Sequence, residues 1–258
     1  MKALITGASS GMGRDMARIL SQQGYDLLLV ARRRERLEEL KAELGTNVDI
    51  LCLDLASVEN CYEVYHAAGD IDVLINNAGF GAFGDFLETD LATEMNMLDV
   101  NVRAMHVLMK LFLVDFVRKD HGYVLNVASA AGFMPGGPLL DTYYATKAYM
   151  LSLSRGVSKE LKKAKSKVVV SALCPGPVKT EFEHVAGVDF CSVGLESKKV
   201  AAYALCKLFK GKNVIVPGFA IRLGRFITRL LPDCALLSAA YIIQAPRRKN
   251  VRKVDKSE

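Results

Sequence analysis

The sequence predicts an α/β fold, in which a parallel sheet of about seven strands carries helices on both faces within a single domain. Short apolar runs alternate with helical stretches along most of the chain, which is typical of βαβ crossover units. The run Asp26–Ala31 is apolar almost throughout, as in a strand buried on both faces. A chain of 258 residues, 51% hydrophobic and 24% charged, is long enough to bury one large core.

The elements follow one another in a regular order. Strands are predicted at residues 2–5, 26–31, 48–54, 72–76, 122–128, 167–174 and 213–217. Helices are predicted at residues 13–23, from the arginines at 32–34 to near residue 44, after a capping Ser57, at 89–118 and at 142–161. We assign residues 1–217 to the sheet domain and residues 218–258 to a helical extension and basic tail of the same domain.

The first strand ends in a glycine-rich turn. Residues 6–13 read Thr-Gly-Ala-Ser-Ser-Gly-Met-Gly, and a helix follows at once. Glycines let backbone approach a ligand closely, and the free N–H groups of a helix start attract a pyrophosphate. The spacing is Gly-x3-Gly-x-Gly, which differs from the common dinucleotide fingerprint. The turn predicts a phosphate cradle, and a plain structural turn is the alternative.

Composition excludes several classes of site. The six cysteines contain no Cys-x2-Cys pair, and the four histidines form no metal-ligand pattern, so no metal site and no disulfide framework is predicted. Because the chain begins directly in a strand, we expect no signal peptide and a cytoplasmic location. Residues 219–258 hold nine Lys/Arg and three Asp/Glu, which is the whole net charge of +6. The neutral remainder has no basic surface for nucleic acid.

Several further motifs occur in one order along the chain. They are the turn at residues 6–13, Asp54, Asn76-Asn77-Ala78-Gly79, Asn101, Ser129, Tyr143-x3-Lys147 and Pro175-Gly176. In order and approximate spacing this set resembles the short-chain dehydrogenase/reductase family, over residues 1 to about 217. The resemblance implies a Rossmann-type doubly wound sheet, a homodimer or homotetramer, and an oxidoreductase that interconverts a carbonyl and a secondary alcohol of a small molecule.

The reacting centre is predicted around one helix. Residues four apart share a helix face, so Tyr143 and Lys147 are neighbours, and a nearby ammonium lowers a phenol pKa that is ~10 in model peptides. Tyr144 is three residues from Lys147, so geometry alone does not choose between the tyrosines; the family pattern selects Tyr143. By resemblance, Ser129 hydrogen-bonds the substrate oxygen, Lys147 also holds the nicotinamide ribose, and Asn101 positions a water that relays protons to Lys147. A surface position is the alternative for Asn101.

One spacing departs from the family pattern. Ser129 and Tyr143 lie fourteen residues apart, one more than the commonest family spacing, with Pro135-Gly136-Gly137-Pro138 between them. We expect the loop to absorb the extra residue.

The residues after the second strand favour NADP(H) over NAD(H). Where many nicotinamide proteins place an acidic residue that holds the ribose 2′-hydroxyl, this chain has Ala31, followed by Arg32 and Arg33. Guanidinium groups suit a 2′-phosphate in charge and in bidentate geometry. The alternatives are NAD(H) as cofactor and a solvated helix start at residues 32–34.

The resemblance implies further cofactor contacts. Asp54, with Leu55 beside it, corresponds to the residue that contacts the adenine. The turn at residues 76–79 passes the adenosine ribose, and a structural clamp between strands four and five is the alternative. The segment after strand six binds the nicotinamide carboxamide. With the two arginines, the predicted cofactor-binding residues are Thr6, Gly7, Ser9, Ser10, Gly11, Met12, Gly13, Arg32, Arg33, Asp54, Leu55, Asn76, Ala78, Gly79, Tyr143, Lys147, Pro175, Gly176, Val178 and Thr180.

The substrate pocket is predicted to be apolar. The irregular stretch from residue 178 to 196 corresponds to a mobile lid in the family. Aromatic and apolar residues lie there and on nearby loops: Phe80, Phe83, Phe133, Met134, Phe182, Val185 and Phe190. The alternative for these loops is that they only pack against the protein and do not form a substrate pocket.

The alternative for the whole protein is a non-catalytic NADP(H)-binding sensor or scaffold.

The C-terminal region is not explained by the family motifs. Arg222, Arg225 and Arg229 share one helix face, and Leu223, Phe226, Ile227 and Leu230 group on the other side. An apolar stretch at residues 235–245 follows, and no segment reaches the ~20 apolar residues that span a bilayer. We expect residues 219–245 to fold as helices whose apolar faces pack on the core or on a neighbouring subunit and cover the substrate side or an interface. Peripheral contact with an anionic membrane is the alternative.

Overall fold

The computed structural model describes the backbone of residues 1–182 and 194–254 and the side chains up to residue 246. Its strands are β1 (Lys2–Thr6), β2 (Asp26–Ala31), β3 (Val48–Cys52), β4 (Val73–Asn76), β5 (Tyr123–Val127), β6 (Val169–Leu173), β7 (Val178–Lys179), β8 (Leu195–Glu196) and β9 (Val214–Ile215). Its α-helices are α1 (Gly11–Gln22), α2 (Arg34–Glu43), α3 (Val58–Ala68), α4 (Leu91–Leu98), α5 (Met105–Arg118), α6 (Asp141–Lys163), α7 (Ser197–Phe209), α8 (Phe219–Ile227) and α9 (Asp233–Val254).

Seven of these strands form one parallel sheet in the order β3-β2-β1-β4-β5-β6-β9. This confirms the predicted fold class, and each predicted strand corresponds to one strand of the sheet. The order along the chain reverses between β1 and β4, so a crevice opens beyond their carboxyl ends, where ligands bind in doubly wound sheets. The short pair β7 and β8, which the sequence did not suggest, lies outside the main sheet.

Helices cover both faces of the sheet because neighbouring strand residues point to opposite sides. Ile5 joins a buried cluster with side chains of α1, α2 and α7, and the preceding Leu4 joins another with α3, α5 and α6. The predicted cap is confirmed, since the Ser57 hydroxyl accepts a hydrogen bond from the N–H of Asn60 (3.3 Å) at the start of α3.

Two short helical segments of other geometry position residues of the predicted site. A π-helical segment, Asp99–Ala104, interrupts the long helix predicted at residues 89–118 and separates α4 from α5. A 3-10 turn, Ala130–Phe133, follows the end of β5. Local departures of this kind often occur at functional positions, because they re-aim side chains that a regular helix would point elsewhere.

Two helices form in the C-terminal region, but their apolar residues do not lie as expected. Helix α9 buries Leu236, Ala240 and Gln244 against the body of the protein. Helix α8 buries none of its residues, and its apolar residues Leu223, Phe226, Ile227 and Leu230 (the last just beyond the helix) are exposed. The expectation that these side chains pack on the core is therefore wrong, while the alternative that they pack on a neighbouring subunit stays a prediction. In the part of the chain that the structure describes, no helix is both long and apolar enough to cross a membrane.

Candidate active site

A cavity of about 460 Å³ lies along the carboxyl ends of the strands, at the crevice beside β1 and β4. Eighteen predicted site residues line it: Gly7, Ser9, Ser10, Gly11, Met12, Arg32, Arg33, Asp54, Leu55, Ala78, Gly79, Ser129, Tyr143, Lys147, Pro175, Gly176, Val178 and Thr180. Four predicted residues do not line it, namely Thr6, Gly13, Asn76 and Asn101. The structure therefore brings most of the predicted set into one space, and the other four lie behind its wall.

The glycine-rich turn leaves the start of α1 open toward the cavity. Gly7 and Gly11 have φ angles of +64° and +51°, which favour glycine. Ser10 precedes the first residue of α1, but its side chain caps none of the helix N–H groups. Since the first N–H groups of a helix have no partner within it, this helix start is suited to an anionic group.

Behind the turn, three of the non-lining residues hold the loops together. The Thr6 hydroxyl accepts hydrogen bonds from the N–H groups of Asn77 and Ala78, both at 3.0 Å. The Asn76 side chain donates to the side chain of Asn126 on β5 (2.9 Å), which is the clamp between strands four and five that the sequence left open. Gly13 has no space for a side chain, because a Cβ there would lie 2.4 Å from the carbonyl oxygen of Gly7.

Asn77 is a further residue of the candidate site that was not predicted, although it stands inside the recognised motif. Its side chain lines the cavity and donates hydrogen bonds to the backbone oxygens of Thr6 (3.1 Å) and Gly7 (3.0 Å). It therefore fixes the glycine-rich turn against the loop after β4. The place of Asn77 between two predicted cofactor-binding residues was the available signal.

Both predicted arginines reach the cavity, but their partners differ. The Arg33 guanidinium donates to the hydroxyl groups of Ser9 (3.1 Å) and Ser10 (3.0 Å) on the glycine-rich turn. Arg33 also pairs with Glu181 (2.8 Å), which contacts Arg36 as well. Hydrogen bonds from these two arginines lower the pKa of Glu181. Glu181 was missed by sequence reasoning because nothing local marks a residue that pairs across 148 positions.

Arg32 is more exposed than Arg33, and among the described residues it forms no comparable network of hydrogen bonds and ion pairs. Its nearest charged partner is Asp54, at 3.7 Å, and both side chains are about half exposed or more. Such a pair contributes little to stability, because solvent screens it. The guanidinium of Arg32 is therefore available at the rim of the cavity.

Ser129, Tyr143 and Lys147 meet at the inner part of the cavity. Ser129 and Tyr143 both line this part of the cavity, and the Ser129 side chain lies close enough to lower the pKa of the Tyr143 phenol. One turn further along α6, the Lys147 ammonium lies 5.7 Å from the centre of the Tyr143 ring and donates to the backbone oxygen of Val127 (2.9 Å). The Ser129 hydroxyl also accepts from the N–H of Ala131 (3.1 Å), which holds it at the start of the 3-10 turn.

The pKa of Tyr143 does not shift in the expected direction. Burial raises it to about 12, and the nearby Ser129 side chain offsets only part of that rise. Burial also lowers the pKa of Lys147 to about 8. Removal from water disfavours the charged form of each group, and burial is the largest cause of both shifts. In the protein by itself the phenol therefore keeps its proton.

Asn101 is fully buried in the π-helical segment, so the surface alternative is wrong. Its side chain exchanges two hydrogen bonds with the backbone of Phe80, accepting at 3.0 Å and donating at 2.9 Å. It also donates to the hydroxyl of Thr146 on α6 (3.1 Å). A Cβ at Gly79 would lie 2.8 Å from the Asn101 oxygen and 3.5 Å from the Lys147 nitrogen, so both polar atoms flank this glycine.

The comparisons with known proteins agree with this geometry. A sequence model of the family described as short chain dehydrogenase matches residues 1–187, well over half of the chain. The chain belongs to the short-chain dehydrogenase/reductase family. It is thus a member of a family of oxidoreductases that act on small molecules with a nucleotide cofactor.

Relatives within the family extend over most of the chain. The NADP-dependent 3-hydroxy acid dehydrogenase YdfG of Escherichia coli K12 is 36% identical over 194 residues, which cover 72% of this chain and 76% of the relative. A short-chain dehydrogenase from Sphingobium yanoikuyae, solved in complex with NADPH, is 31% identical, with a TM-score of 0.79 and coverage of 87% and 91% of the two chains. The bulky-bulky ketone specific alcohol dehydrogenase from Comamonas testosteroni is 27% identical, with a TM-score of 0.76 and coverage of 88% and 91%.

On the substrate side, this family member has an aromatic wall that differs in part from the prediction. Phe80, Leu140, Tyr144 and Phe182 line the cavity. Phe83, Phe133 and Met134 do not, and two guanidinium groups instead lie over the Phe133 ring, those of Arg155 (5.4 Å) and Arg225 (5.0 Å). Val185 and Phe190 lie outside the described residues.

Tyr144 is oriented by the loop and by the C-terminal helix. A Cβ at Gly137 would lie 2.2 Å from its ring, so the ring packs directly on this glycine. The Tyr144 hydroxyl accepts a hydrogen bond from the side chain of Gln244 on α9 (3.2 Å). Tyr144 therefore belongs to the part of the cavity wall formed with the C-terminal helix, whereas Tyr143 lies close to Ser129.

Proposed function

We propose that this protein is an NADP(H)-dependent oxidoreductase that interconverts a carbonyl and a secondary alcohol on an apolar substrate. The observation that carries the proposal is the buried Tyr143, close to Ser129 and one helical turn from Lys147, in the same cavity as the glycine-rich turn. One space thus combines a proton donor, a second hydroxyl and an anion-binding helix start.

The residues present fit the cofactor. The uncapped start of α1 suits the pyrophosphate, and Arg32 and Arg33 at the rim suit a 2′-phosphate. The relative from Escherichia coli is NADP-dependent, and the structure from Sphingobium contains NADPH, which supports the same choice here. When bound, the nicotinamide supplies the exchange of hydride with the substrate carbon.

Each residue of the reacting centre has a defined role in this proposal. In the reduction, the Tyr143 hydroxyl gives its proton to the substrate oxygen. In the oxidation, Tyr143 takes the proton from the substrate hydroxyl. Ser129 hydrogen-bonds the same substrate oxygen in both directions. The Lys147 ammonium holds the nicotinamide ribose and favours charge on Tyr143. Asn101 holds the backbone of Phe80 and is the proposed anchor of a water that passes protons to Lys147.

The remaining predicted contacts complete the cofactor site. Asp54 and Leu55 are proposed to face the adenine, Ala78 and Gly79 the adenosine ribose, and the segment at residues 175–180 the carboxamide. Thr6, Gly13 and Asn76 are proposed to act from behind the wall, through the hydrogen bonds and close packing described above. The apolar substrate is proposed because four apolar or aromatic side chains line the opening.

A carbonyl screen tests the proposal. NADPH oxidation is followed at neutral pH with small ketones, bulky aromatic ketones, steroid ketones and 3-oxo acids, and NADP+ reduction with the matching alcohols. We expect turnover of at least one apolar compound, with Tyr143→Phe inactive on the same compound. NADPH binding without turnover in either direction would contradict the proposal in favour of a cofactor-binding sensor.

A further inference from the structure

Helix α8 presents an apolar stripe to solvent. Phe219, Leu223, Phe226 and Leu230 follow one another at steps of four, three and four residues, and their side chains are 74%, 50%, 60% and 68% exposed. This spacing places the three residues within α8 on one face, and Leu230 follows in the turn just beyond the helix. An ordinary surface helix of a globular protein points such a stripe toward the core. Here the stripe points away from it.

Contacts on the other side of α8 hold the helix in this orientation. The side chain of Ile221 packs on Gly176 in the cavity wall, where a Cβ would lie 2.6 Å from its Cδ1. The Arg225 guanidinium lies over the Phe133 ring at 5.0 Å. The predicted arginine face is therefore divided, because Arg225 points inward while Arg222 and Arg229 are exposed. The outward position of the apolar stripe follows from these inner contacts.

The following segment extends this exposed surface. Ile227 and Leu231 are also exposed at the end of α8 and just beyond it, and α9 exposes Tyr241, Ile242 and Ile243 while burying Leu236, Ala240 and Gln244. We call the exposed residues of α8 and its end the α8 apolar face: Phe219, Leu223, Phe226, Ile227, Leu230 and Leu231. Exposed apolar groups of this extent typically mark an interaction site.

The charge of the region indicates which partner covers the α8 apolar face. All of the net charge of +6 belongs to residues 219–258, and the rest of the chain is neutral. Arg222 and Arg229 flank the apolar stripe. A second copy of this face would bring the same positive charge against it, which is repulsive. An anionic lipid surface offers hydrocarbon to the stripe and phosphate groups to the arginines.

We infer that α8 is a peripheral membrane-binding helix, which inserts the α8 apolar face into the headgroup boundary of an anionic bilayer. Arg222 and Arg229 contact lipid phosphates, and the basic segment after residue 246 adds charge attraction. Because Ile221 of the same helix packs on Gly176 in the cavity wall, the binding surface lies beside the candidate active site. The inference does not depend on the proposed reaction.

Vesicle sedimentation tests this inference on the full chain. The protein is mixed with vesicles of phosphatidylcholine alone, or with about a third of the lipid replaced by phosphatidylglycerol, at low salt and at about 0.5 M salt, where charge attraction is screened. We expect binding to the anionic vesicles, weakened at least tenfold by high salt and undetectable without anionic lipid.

Matched variants separate the two parts of the surface. Phe226→Ser/Leu230→Ser removes exposed apolar groups, and Tyr62→Ser removes an exposed aromatic group on α3 as a control. Arg222→Glu/Arg229→Glu reverses two charges, and Lys162→Glu/Lys163→Glu makes the same change at exposed positions of α6. We expect both α8 variants to lose at least tenfold in vesicle affinity and both controls to bind as wild type. Circular dichroism and NADPH binding check that each variant is folded.

Three outcomes would overturn the inference. The first is absence of binding to anionic vesicles by the wild-type protein. The second is equal loss of binding in the α8 variants and their controls, which would reflect net charge alone. The third is a wild-type oligomer, detected by light scattering, that Phe226→Ser/Leu230→Ser converts to monomers, because a second copy would then cover the α8 apolar face.

Discussion

Ser129 lies close enough to Tyr143 to lower the pKa of its phenol, although the two residues are fourteen positions apart in the sequence. The loop between them turns tightly before α6. Leu139 adopts a φ of +71°, and the N–H of Leu140 donates to the oxygen of Gly137 (2.8 Å). A left-handed conformation is unusual for leucine and indicates that the surroundings hold it there. The loop thereby accommodates the additional residue without separating the two hydroxyl groups.

The first prediction separates the two neighbouring tyrosines. Tyr143→Phe is expected to lower kcat by at least a hundredfold while the Kd for NADPH stays within about twofold, because only a proton-transfer oxygen is lost. Tyr144→Phe is expected to keep most of kcat and to raise KM, since its hydroxyl bonds Gln244 at the substrate opening. Steady-state kinetics and fluorescence titration measure these values. The reverse pattern would place the reacting phenol at Tyr144.

The second prediction concerns cofactor choice. Arg32→Ala is expected to weaken NADPH binding by ~1.5–3 kcal/mol, the typical contribution of a hydrogen bond to a charged group, and to leave NADH binding nearly unchanged. Arg34→Ala is the control, because Arg34 is exposed and does not line the cavity. Calorimetric titration compares each of the two variants with the wild-type protein, once for NADPH and once for NADH. Equal dissociation constants for NADPH and NADH in the wild-type protein would contradict the proposed preference.

The third prediction follows from the lowered pKa of Lys147. Burial lowers this pKa from 10.5 to about 8, so between these values the unfolded chain binds a proton that the folded protein has released. The free energy of unfolding therefore increases as pH rises through that window, because less work is needed to keep Lys147 uncharged. Below pH 8 the full destabilising effect of burying Lys147 is present. Lys147→Met removes the effect. Relative to Lys147→Met, the wild-type protein is expected to gain about 2 kcal/mol between pH 7 and 9.5. Urea denaturation at the two values measures it, and a constant difference would refute the prediction.

The fourth prediction compares two glycines in helices. Gly13→Ala places a Cβ 2.4 Å from the oxygen of Gly7 and 2.5 Å from the side-chain nitrogen of Asn77. Overpacking of this kind is expected to cost about 2 kcal/mol and to weaken NADPH binding, because the glycine-rich turn must move. Gly156→Ala in α6 meets open space and is expected to gain ~0.5–1 kcal/mol. Denaturation midpoints and NADPH titration distinguish the two substitutions. If Gly13→Ala changed neither stability nor NADPH binding, the turn would not be tightly packed.

The sequence by itself determined the features that depend on neighbours along the chain. The apolar run Asp26–Ala31 marks a buried strand, and the glycines of residues 6–13 mark a turn before a helix. The spacing of Tyr143 and Lys147 places them one helical turn apart. These features follow from strand and helix periodicity and from the conformational freedom of glycine, which are local properties.

Only the tertiary structure decided the features that depend on distant partners. The Arg33–Glu181 pair joins segments 148 residues apart, and the Asn76–Asn126 clamp joins two strands. The raised pKa of Tyr143 comes from the burial of its phenol, and the outward stripe of α8 follows from contacts made by the opposite side of that helix. Periodicity identifies which residues share a face. Whether that face meets the core or the solvent is decided by packing between segments that are distant in the sequence. The same packing decides how far each charged group is removed from water.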